Sequence, residues 1–174
     1  MSHPTVFIIA GERSGDIHAS KLMYHLKKLK PTVRFIGIGG KTMESQGLQS
    51  LVPLESFSVV GFWEVFKNII FFRKTLYECE RLFKSNKIDL VILVDFPGFN
   101  IRIAEIAKKN SIPVCYYIAP QLWAWGKGRI YKLQKYVDLL LVVFPFEVEF
   151  FSRYIQNVEF VGHPLLDEPV FQIR

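Results

Sequence analysis

Two carboxylates and a hydroxyl lie in one short loop near the N-terminus, in the sequence GERSGD at residues 11–16. An apolar run at residues 6–10 precedes this loop and apolar residues at helical spacing follow it, which predicts a strand, a glycine turn and a helix. Ser14 or Asp16 is the expected N-cap, and the helix start presents unpaired N–H groups and partial positive charge. The pattern favours either an anion site or an ordinary turn whose polar residues only cap the helix.

A second candidate loop, DFPGFN at residues 95–100, follows the apolar run DLVILV at residues 89–94. Open sheets of parallel strands bind ligands at the carboxyl ends of their strands, so Asp95 and Asn100 are expected near a binding crevice. The alternatives are that Asp95 caps the next helix or pairs with a lysine, and that Asn100 caps a helix beginning at Ile101.

The loop at residues 120–129 is both aromatic and basic. Its tryptophans are suited to stacking on a sugar or to a membrane interface, and its arginine is suited to phosphate. The candidate ligand groups of this loop are Trp123, Trp125 and Arg129. Two histidines, His18 and His163, also lie near predicted ligand loops, and for His163 a turn role beside Pro164 is the alternative.

Strand-like and helix-like segments alternate along the whole chain, which predicts an α/β fold with a parallel sheet covered by helices on both faces. The expected strands are residues 6–10, 33–38, 51–54, 89–94, 113–119, 139–144 and 158–161. The length of 174 residues and a hydrophobic content of 50% are typical of one domain with a sizeable core.

The most unusual segment is the aromatic-rich, mostly helical stretch at residues 57–83. Its apolar residues cover nearly all faces of a helix, more than one sheet contact can bury. The segment is either buried by a neighbouring domain or loop, or it forms an acyl-chain and membrane surface flanked by lysine and arginine. The residues expected at such a surface are Val60, Phe62, Trp63, Phe66, Ile69 and Ile70.

The net charge and the cysteine content indicate the kind of partner and the cellular compartment. The net charge of +6 favours an anionic partner, and no nucleic-acid-binding motif is present. Cys79 and Cys115 form no CxxC pair, so neither a disulfide framework nor a metal site is indicated, and a reducing cytosol fits. The N-terminus has no signal-peptide pattern, and the most apolar window, residues 59–72, is too short to span a bilayer.

Several of these segments together resemble the lipid-A-disaccharide synthase family, and they occur in the order expected for it. They are AGERSGD at 10–16, GIGG at 37–40, SVVGFWEV at 58–65, DFPGFN at 95–100, YYIAPQLWAWGKGRI at 116–130, FPFE at 144–147 and FVGHPL at 160–165. The resemblance implies a GT-B glycosyltransferase of about twice this length. Residues 1–174 then correspond to its single Rossmann-like acceptor-side domain, without the donor-binding C-terminal domain.

The resemblance implies an inverting transfer of diacylglucosamine from UDP-diacylglucosamine to diacylglucosamine 1-phosphate (lipid X), giving lipid A disaccharide 1-phosphate and UDP. Asp95 is the first choice as the catalytic base, with Glu12 and Asp16 as competing carboxylates. Ser14 and Gly15 are expected to bind phosphate or sugar hydroxyls.

The resemblance further implies that no metal or other cofactor is needed, and that the protein is cytoplasmic and peripheral on the inner face of the inner membrane. This chain alone is expected to be inactive, since GT-B chemistry occurs between two domains. Two residues depart from the common family pattern: Arg13 stands where a small residue is frequent, and Gly98 where many relatives have a second Asp. The alternatives are a non-catalytic lipid- or nucleotide-binding domain, or another GT-B sugar-nucleotide enzyme.

Overall fold

The computed structural model describes residues 3–57, 62–85, 87–122 and 127–167. For residues 62–68 and 127 it describes the backbone only. Seven strands form one sheet in the order β3-β2-β1-β4-β5-β6-β7, and every pair is parallel. The strands are β1 Thr5–Ala10, β2 Arg34–Gly39, β3 Leu48–Pro53, β4 Leu90–Val94, β5 Val114–Tyr117, β6 Leu139–Val142 and β7 Val158–Phe160. The predicted fold class is confirmed.

Six α-helices connect these strands within the described residues. They are α1 Arg13–Leu29, α2 Lys41–Ser45, α3 Phe62–Ser85, α4 Pro97–Lys109, α5 Ile130–Tyr136 and α6 Pro145–Ser152. Helices α1 and α2 bury Ala19, Met23 and Met43 against one face of the sheet. The other four bury residues such as Cys79, Ala104 and Phe151 against the opposite face. Both faces of the sheet are therefore covered, as the alternating pattern predicts.

The order of the strands reverses between β1 and β4. From β1 the chain adds β2 and β3 on one side, and it then returns to add β4 to β7 on the other. Ala10 at the end of β1 pairs with Val94 at the end of β4. The two loops that carry the candidate residues therefore leave the same edge of the sheet side by side, which is where open α/β sheets bind ligands.

Two helix starts differ from the sequence prediction. Helix α1 has Glu12 as its N-cap, with no capping bond from that side chain, whereas the sequence favours Ser14 or Asp16. Helix α4 begins at Pro97 rather than Ile101, because proline suits the first helical position and its fixed φ starts the helix early. Asn100 is consequently inside α4 and is not its N-cap, so that alternative is wrong.

Candidate active site

Asp95 is the first residue after β4, and its backbone has an unusual conformation. Its φ is 46° and that of Phe96 is 49°, so two successive residues with side chains adopt the left-handed region. Each such residue costs about 1 kcal/mol or more relative to ordinary backbone. Surrounding contacts stabilise this turn in its strained conformation. Backbone strain of this kind is common at functional sites, where a side chain must face a ligand.

A small cleft of about 90 Å³ brings Asp95 together with residues from the glycine loop and from the end of the described chain. Its lining consists of Ser14, Gly15, His18, Asp95, Ile118, His163 and Pro164. Five sequence-predicted site residues therefore meet at one place: Ser14, Gly15, His18, Asp95 and His163. Ser14 and Gly15 belong to the first turn of α1, so the N-terminal end of that helix faces the same cleft as the carboxylate.

The environment of Asp95 alters its acidity. Burial raises the pKa of the Asp95 carboxyl above its ordinary value, while a hydrogen bond from the Phe96 backbone N–H opposes part of that increase. Burial acts in this direction because a low-dielectric surrounding disfavours the charged form. A carboxyl whose pKa moves towards neutrality is a better match for proton transfer at physiological pH than an ordinary surface carboxylate.

Asp16, the other carboxylate expected as a competing base in the glycine loop, is bonded to the start of α2. Its carboxylate accepts hydrogen bonds from the backbone N–H groups of Gly40 at 2.7 Å, Thr42 at 3.1 Å and Met43 at 3.1 Å, and from the Thr42 hydroxyl. Asp16 is also buried. The side chain therefore caps α2 rather than α1, and both of its oxygens accept hydrogen bonds from that helix start.

The glycine loop is shaped by side-chain packing as well as by its turn. A Cβ on Gly11 would lie 2.3 Å from the Phe96 ring, so only glycine leaves room for that ring. The close approach of this aromatic side chain therefore accounts for glycine at position 11. Glu12 is exposed at the start of α1 and is not among the residues that line the Asp95 cleft.

An apolar groove of about 520 Å³ lies beside the Asp95 turn, between α3 and α4. It is lined by Ile69, Phe72, Arg73, Leu76, Phe96, Gly98, Phe99 and Arg102. Phe96 forms part of this groove while its neighbour Asp95 lines the cleft, so the strained turn separates the two spaces. The sequence pattern predicts Ile69 at such a surface but does not indicate Phe96, whose position depends on the left-handed turn.

The predicted acyl and membrane surface is described only in part. Ile69 and Ile70 are exposed by 49% and 72%, which agrees with an apolar surface on α3. Other residues of the same helix pack inward, since the Phe57 ring lies 5.3 Å from that of Phe71 and 5.5 Å from that of Phe72. Helix α3 is thus partly buried and partly exposed. Val60 lies outside the described residues, and so do the side chains of Phe62, Trp63 and Phe66.

The other predicted ligand residues lie outside the described residues, on the surface, at the cleft or in the core. Trp123 and Trp125 lie outside the described residues, and Arg129 is exposed just before α5. His163 Nδ1 accepts a hydrogen bond from the Leu165 N–H at 3.3 Å, so this histidine supports the turn at Pro164 as well as lining the cleft. Asn100 is fully buried, with no exposed surface.

A larger, open cleft of about 730 Å³ adjoins the Asp95 cleft, and His18 and Pro164 line both. Its other walls include Lys21, His25 and Tyr117, none of which sequence analysis selected as site residues. No local motif marks these three residues. They come from one helix and one strand that only the tertiary structure brings together. Space for a substrate larger than the Asp95 cleft is therefore available next to the carboxylate.

The described residues hold neither a cluster of metal ligands nor a membrane-spanning helix. These residues contain no group of three or more His, Cys, Asp or Glu side chains that could hold a metal ion. Within the same part of the chain, no helix is long and apolar enough to cross a membrane.

The strand order and the helices on both faces define a class, a Rossmann-like α/β domain of the kind that GT-B folds contain. The structure of Staphylococcus aureus MnaA with UDP is similar, with a TM-score of 0.64 and 14% identity over 98% of this chain and 47% of that one. A UDP-N-acetylglucosamine 2-epimerase gives a TM-score of 0.62 with 14% identity, over 95% of this chain and 54% of the other. At this identity the likeness concerns the fold alone.

Sequence comparison gives the family. The family model for lipid-A-disaccharide synthetase matches residues 6–172. The lipid-A-disaccharide synthase of Geobacter metallireducens is 44% identical over 162 residues, 93% of this chain and 42% of its own length. That of Coxiella burnetii (strain Dugway 5J108-111) is 41% identical over 169 residues, 97% of this chain and 45% of its own. The chain belongs to the lipid-A-disaccharide synthase family, and it spans less than half the length of these relatives.

Proposed function

We propose that this domain is the acceptor-side half of an inverting glycosyltransferase of lipid A biosynthesis. The reaction transfers diacylglucosamine from UDP-diacylglucosamine to diacylglucosamine 1-phosphate. The acceptor hydroxyl attacks the anomeric carbon, the bond to UDP breaks, and the hydroxyl proton passes to a carboxylate. The observation that carries this proposal is the meeting of Asp95 with the first turn of α1 at the edge where the strand order reverses.

Asp95 is the proposed base. Its partial burial raises its pKa, and it lies in a cleft large enough for a hydroxyl group and open to a larger substrate space. The first-turn N–H groups of α1 at Ser14 and Gly15 are the proposed ligands for a substrate phosphate, because helix N-termini favour anions. The departing diphosphate is expected to be held mainly by the second domain that the relatives have.

The groove between α3 and α4 is the proposed site for an acyl chain of the lipid acceptor. Its floor is formed by aromatic and aliphatic side chains, and the exposed cations Arg73 and Arg102 line it beside them. A lipid with a sugar phosphate head group needs this combination of an apolar channel and positive charge. The groove begins at Phe96, next to the proposed base, so a bound acyl chain would place the sugar head group near Asp95.

Filling the groove at Gly98 tests this assignment. A Cβ on Gly98 would meet no atom within 4 Å and Gly98 lines the groove, so Gly98→Trp is expected to fold while its ring occupies the groove. In a two-domain protein that carries this domain, we expect the KM for diacylglucosamine 1-phosphate to rise at least about tenfold. Displacing two methylenes at about 0.8 kcal/mol each accounts for that change.

Gly98→Ala is the matched control, since one methyl group at this position leaves the groove open and the KM nearly unchanged. A folded Gly98→Trp protein with the wild-type KM would show that acyl chains bind elsewhere. Absence of any turnover of the two substrates by the unsubstituted two-domain protein would overturn the proposed reaction. The alternative of a non-catalytic lipid- or nucleotide-binding domain would then be favoured.

The membrane is the second proposed partner, and the proposed location is peripheral, on the inner face of the inner membrane. The exposed Ile69 and Ile70 and the basic residues Lys127 and Arg129 are the groups expected to meet an anionic surface. We expect this chain to bind phosphatidylglycerol vesicles in a sedimentation assay, with affinity falling as salt is raised. Arg129→Glu should weaken binding roughly tenfold or more, because each surface cation contributes about 1 kcal/mol.

Lys30→Glu is the control for this charge reversal, because Lys30 follows α1 at the opposite, amino-terminal end of the sheet and is exposed. It should leave vesicle binding almost unchanged. Equal binding to neutral and anionic vesicles at all salt concentrations would contradict the electrostatic part of the proposal.

A further inference from the structure

The backbone carbonyl of Asp95 accepts hydrogen bonds from two buried side chains. The Tyr116 hydroxyl donates to this oxygen at 2.6 Å, and the Asn100 Nδ2 donates to it at 2.6 Å. Asn100 Nδ2 also donates to the Val94 carbonyl at 3.2 Å. Tyr116 and Asn100 have no exposed surface, so neither is placed to contact a substrate directly.

These two bonds control the direction of a whole peptide unit. The peptide between Asp95 and Phe96 is planar, so fixing its carbonyl also fixes the direction of its N–H. That N–H also acts on the Asp95 carboxyl, since it favours the charged form and lowers the pKa of that group. Tyr116 and Asn100 therefore hold the carbonyl of Asp95, and with it the backbone from which the carboxyl group that lines the cleft extends.

The orientation of the Asn100 amide supports this role. Its Nδ2 faces two carbonyl oxygens, and its buried Oδ1 has no hydrogen-bond partner among the described residues. Reversing the amide would place its oxygen against the carbonyl oxygens of Val94 and Asp95, all of which are acceptors. The orientation with Nδ2 facing these carbonyls is therefore the favourable one. The amide therefore uses its donor side for the Asp95 and Val94 carbonyls.

Tyr116 remains a donor under working conditions. Burial, with an added contribution from the nearby Asp95 charge, raises the pKa of Tyr116 well above its ordinary value, so the hydroxyl keeps its proton at neutral pH. Tyr117 is the next residue of the same strand, so its side chain points to the opposite face of the sheet, where it lines the larger cleft. Of these two tyrosines, Tyr116 bonds to the Asp95 carbonyl and Tyr117 lies on the other face of the sheet.

We propose that Tyr116, together with Asn100, is a positioning residue that holds the strained Asp95–Phe96 peptide so that the Asp95 carboxyl faces the cleft. The effect on turnover rests on the proposed function, in which Asp95 is the base. The effect on the geometry of Asp95 does not depend on the proposed function. The two consequences can therefore be measured separately.

The first measurement is structural and uses this chain. The carboxyl ¹³C signal of Asp95, assigned by its loss in Asp95→Asn, is titrated in the wild type and in Tyr116→Phe. Losing the hydroxyl should let the turn relax and expose the carboxyl, so the pKa of Asp95 falls towards its ordinary value. Tyr117→Phe is the matched control and should leave the Asp95 titration unchanged.

The second measurement is kinetic and uses a two-domain protein that carries this domain. We expect Tyr116→Phe to lower kcat by roughly tenfold to a hundredfold with little change in KM, because misplacing a reacting group by about 1 Å has effects of that size. The acid limb of the kcat profile should move to lower pH along with the Asp95 pKa. Asn100→Leu removes the other donor and should shift both readouts in the same direction, which covers the case that Tyr116→Phe does not fold.

An unchanged Asp95 titration in folded Tyr116→Phe and Asn100→Leu proteins would overturn the positioning role. If the titration shifts but Asp95→Asn keeps its turnover, the positioning of Asp95 stands and the proposed catalytic role of Asp95 is wrong. A shifted titration with reduced kcat in Tyr116→Phe, and an unshifted Asp95 titration in Tyr117→Phe, is the expected result.

Discussion

Asp95→Asn in a two-domain protein that carries this domain is expected to lower turnover by roughly 10² to 10⁴-fold, the usual contribution of a general base. The amide has nearly the shape of the carboxyl group but cannot accept the proton of the acceptor hydroxyl. In the wild type, turnover should rise with pH through the raised pKa of Asp95, since only the ionised form is a base. The measurement is kcat as a function of pH for both proteins, and the variant should lose this acid limb.

The stability of the same variant separates chemistry from structure. Because burial raises the folded-state pKa of Asp95, the folded protein holds this proton more tightly than the unfolded chain does. The contribution of Asp95 to stability is then greatest below its unfolded-state pKa and declines as pH rises through the folded-state pKa. Asparagine carries no charge to bury, can still accept the Phe96 N–H and tolerates left-handed backbone. At neutral pH, Asp95→Asn should therefore melt at or above the wild-type temperature.

Two outcomes would contradict this assignment. Loss of about 1 kcal/mol of stability with little change in turnover would indicate that Asp95 only caps a helix. Glu12→Gln is the control, because Glu12 is exposed and does not line the Asp95 cleft. A large loss of turnover in Glu12→Gln with little in Asp95→Asn would move the base to the glycine loop.

Asp16→Ala is expected to produce the second large effect, on stability rather than chemistry. Removing the carboxylate leaves the buried Gly40 and Met43 N–H groups and the Thr42 N–H without their acceptor. Unpaired buried donors cost about 1 to 3 kcal/mol each, so we expect the free energy of unfolding to fall by about 3 kcal/mol or more. Urea unfolding followed by circular dichroism measures this change.

Glu44→Ala is the matched control, because Glu44 is an exposed acid on the same short helix. It should change the unfolding free energy by no more than about 0.5 kcal/mol. A loss below about 1 kcal/mol in Asp16→Ala would show that α2 does not depend on this cap, and the carboxylate would again be available as a candidate for catalysis.

Much of this site is predictable from local sequence. Continuous apolar runs such as those of β1 and β4 predict strands buried on both faces, and helical spacing after each loop predicts the alternating units. Because parallel strands present their carboxyl ends at one edge, the pattern also places the loops at residues 11–16 and 95–100 at that edge. Family motifs in the same loops then single out Asp95, Ser14 and Gly15, which the structure brings into one cleft.

What the sequence by itself determined is therefore the fold class, the two candidate loops at the sheet edge and the family, because each depends on local pattern or on motif order. The tertiary structure alone decided which partner each polar group finds. Asp16 caps α2 instead of its own helix, Gly11 makes room for Phe96, and Tyr116 holds the carbonyl of Asp95. These contacts join residues that are distant along the chain, and sheet order and backbone strain bring them together, so no local spacing encodes them.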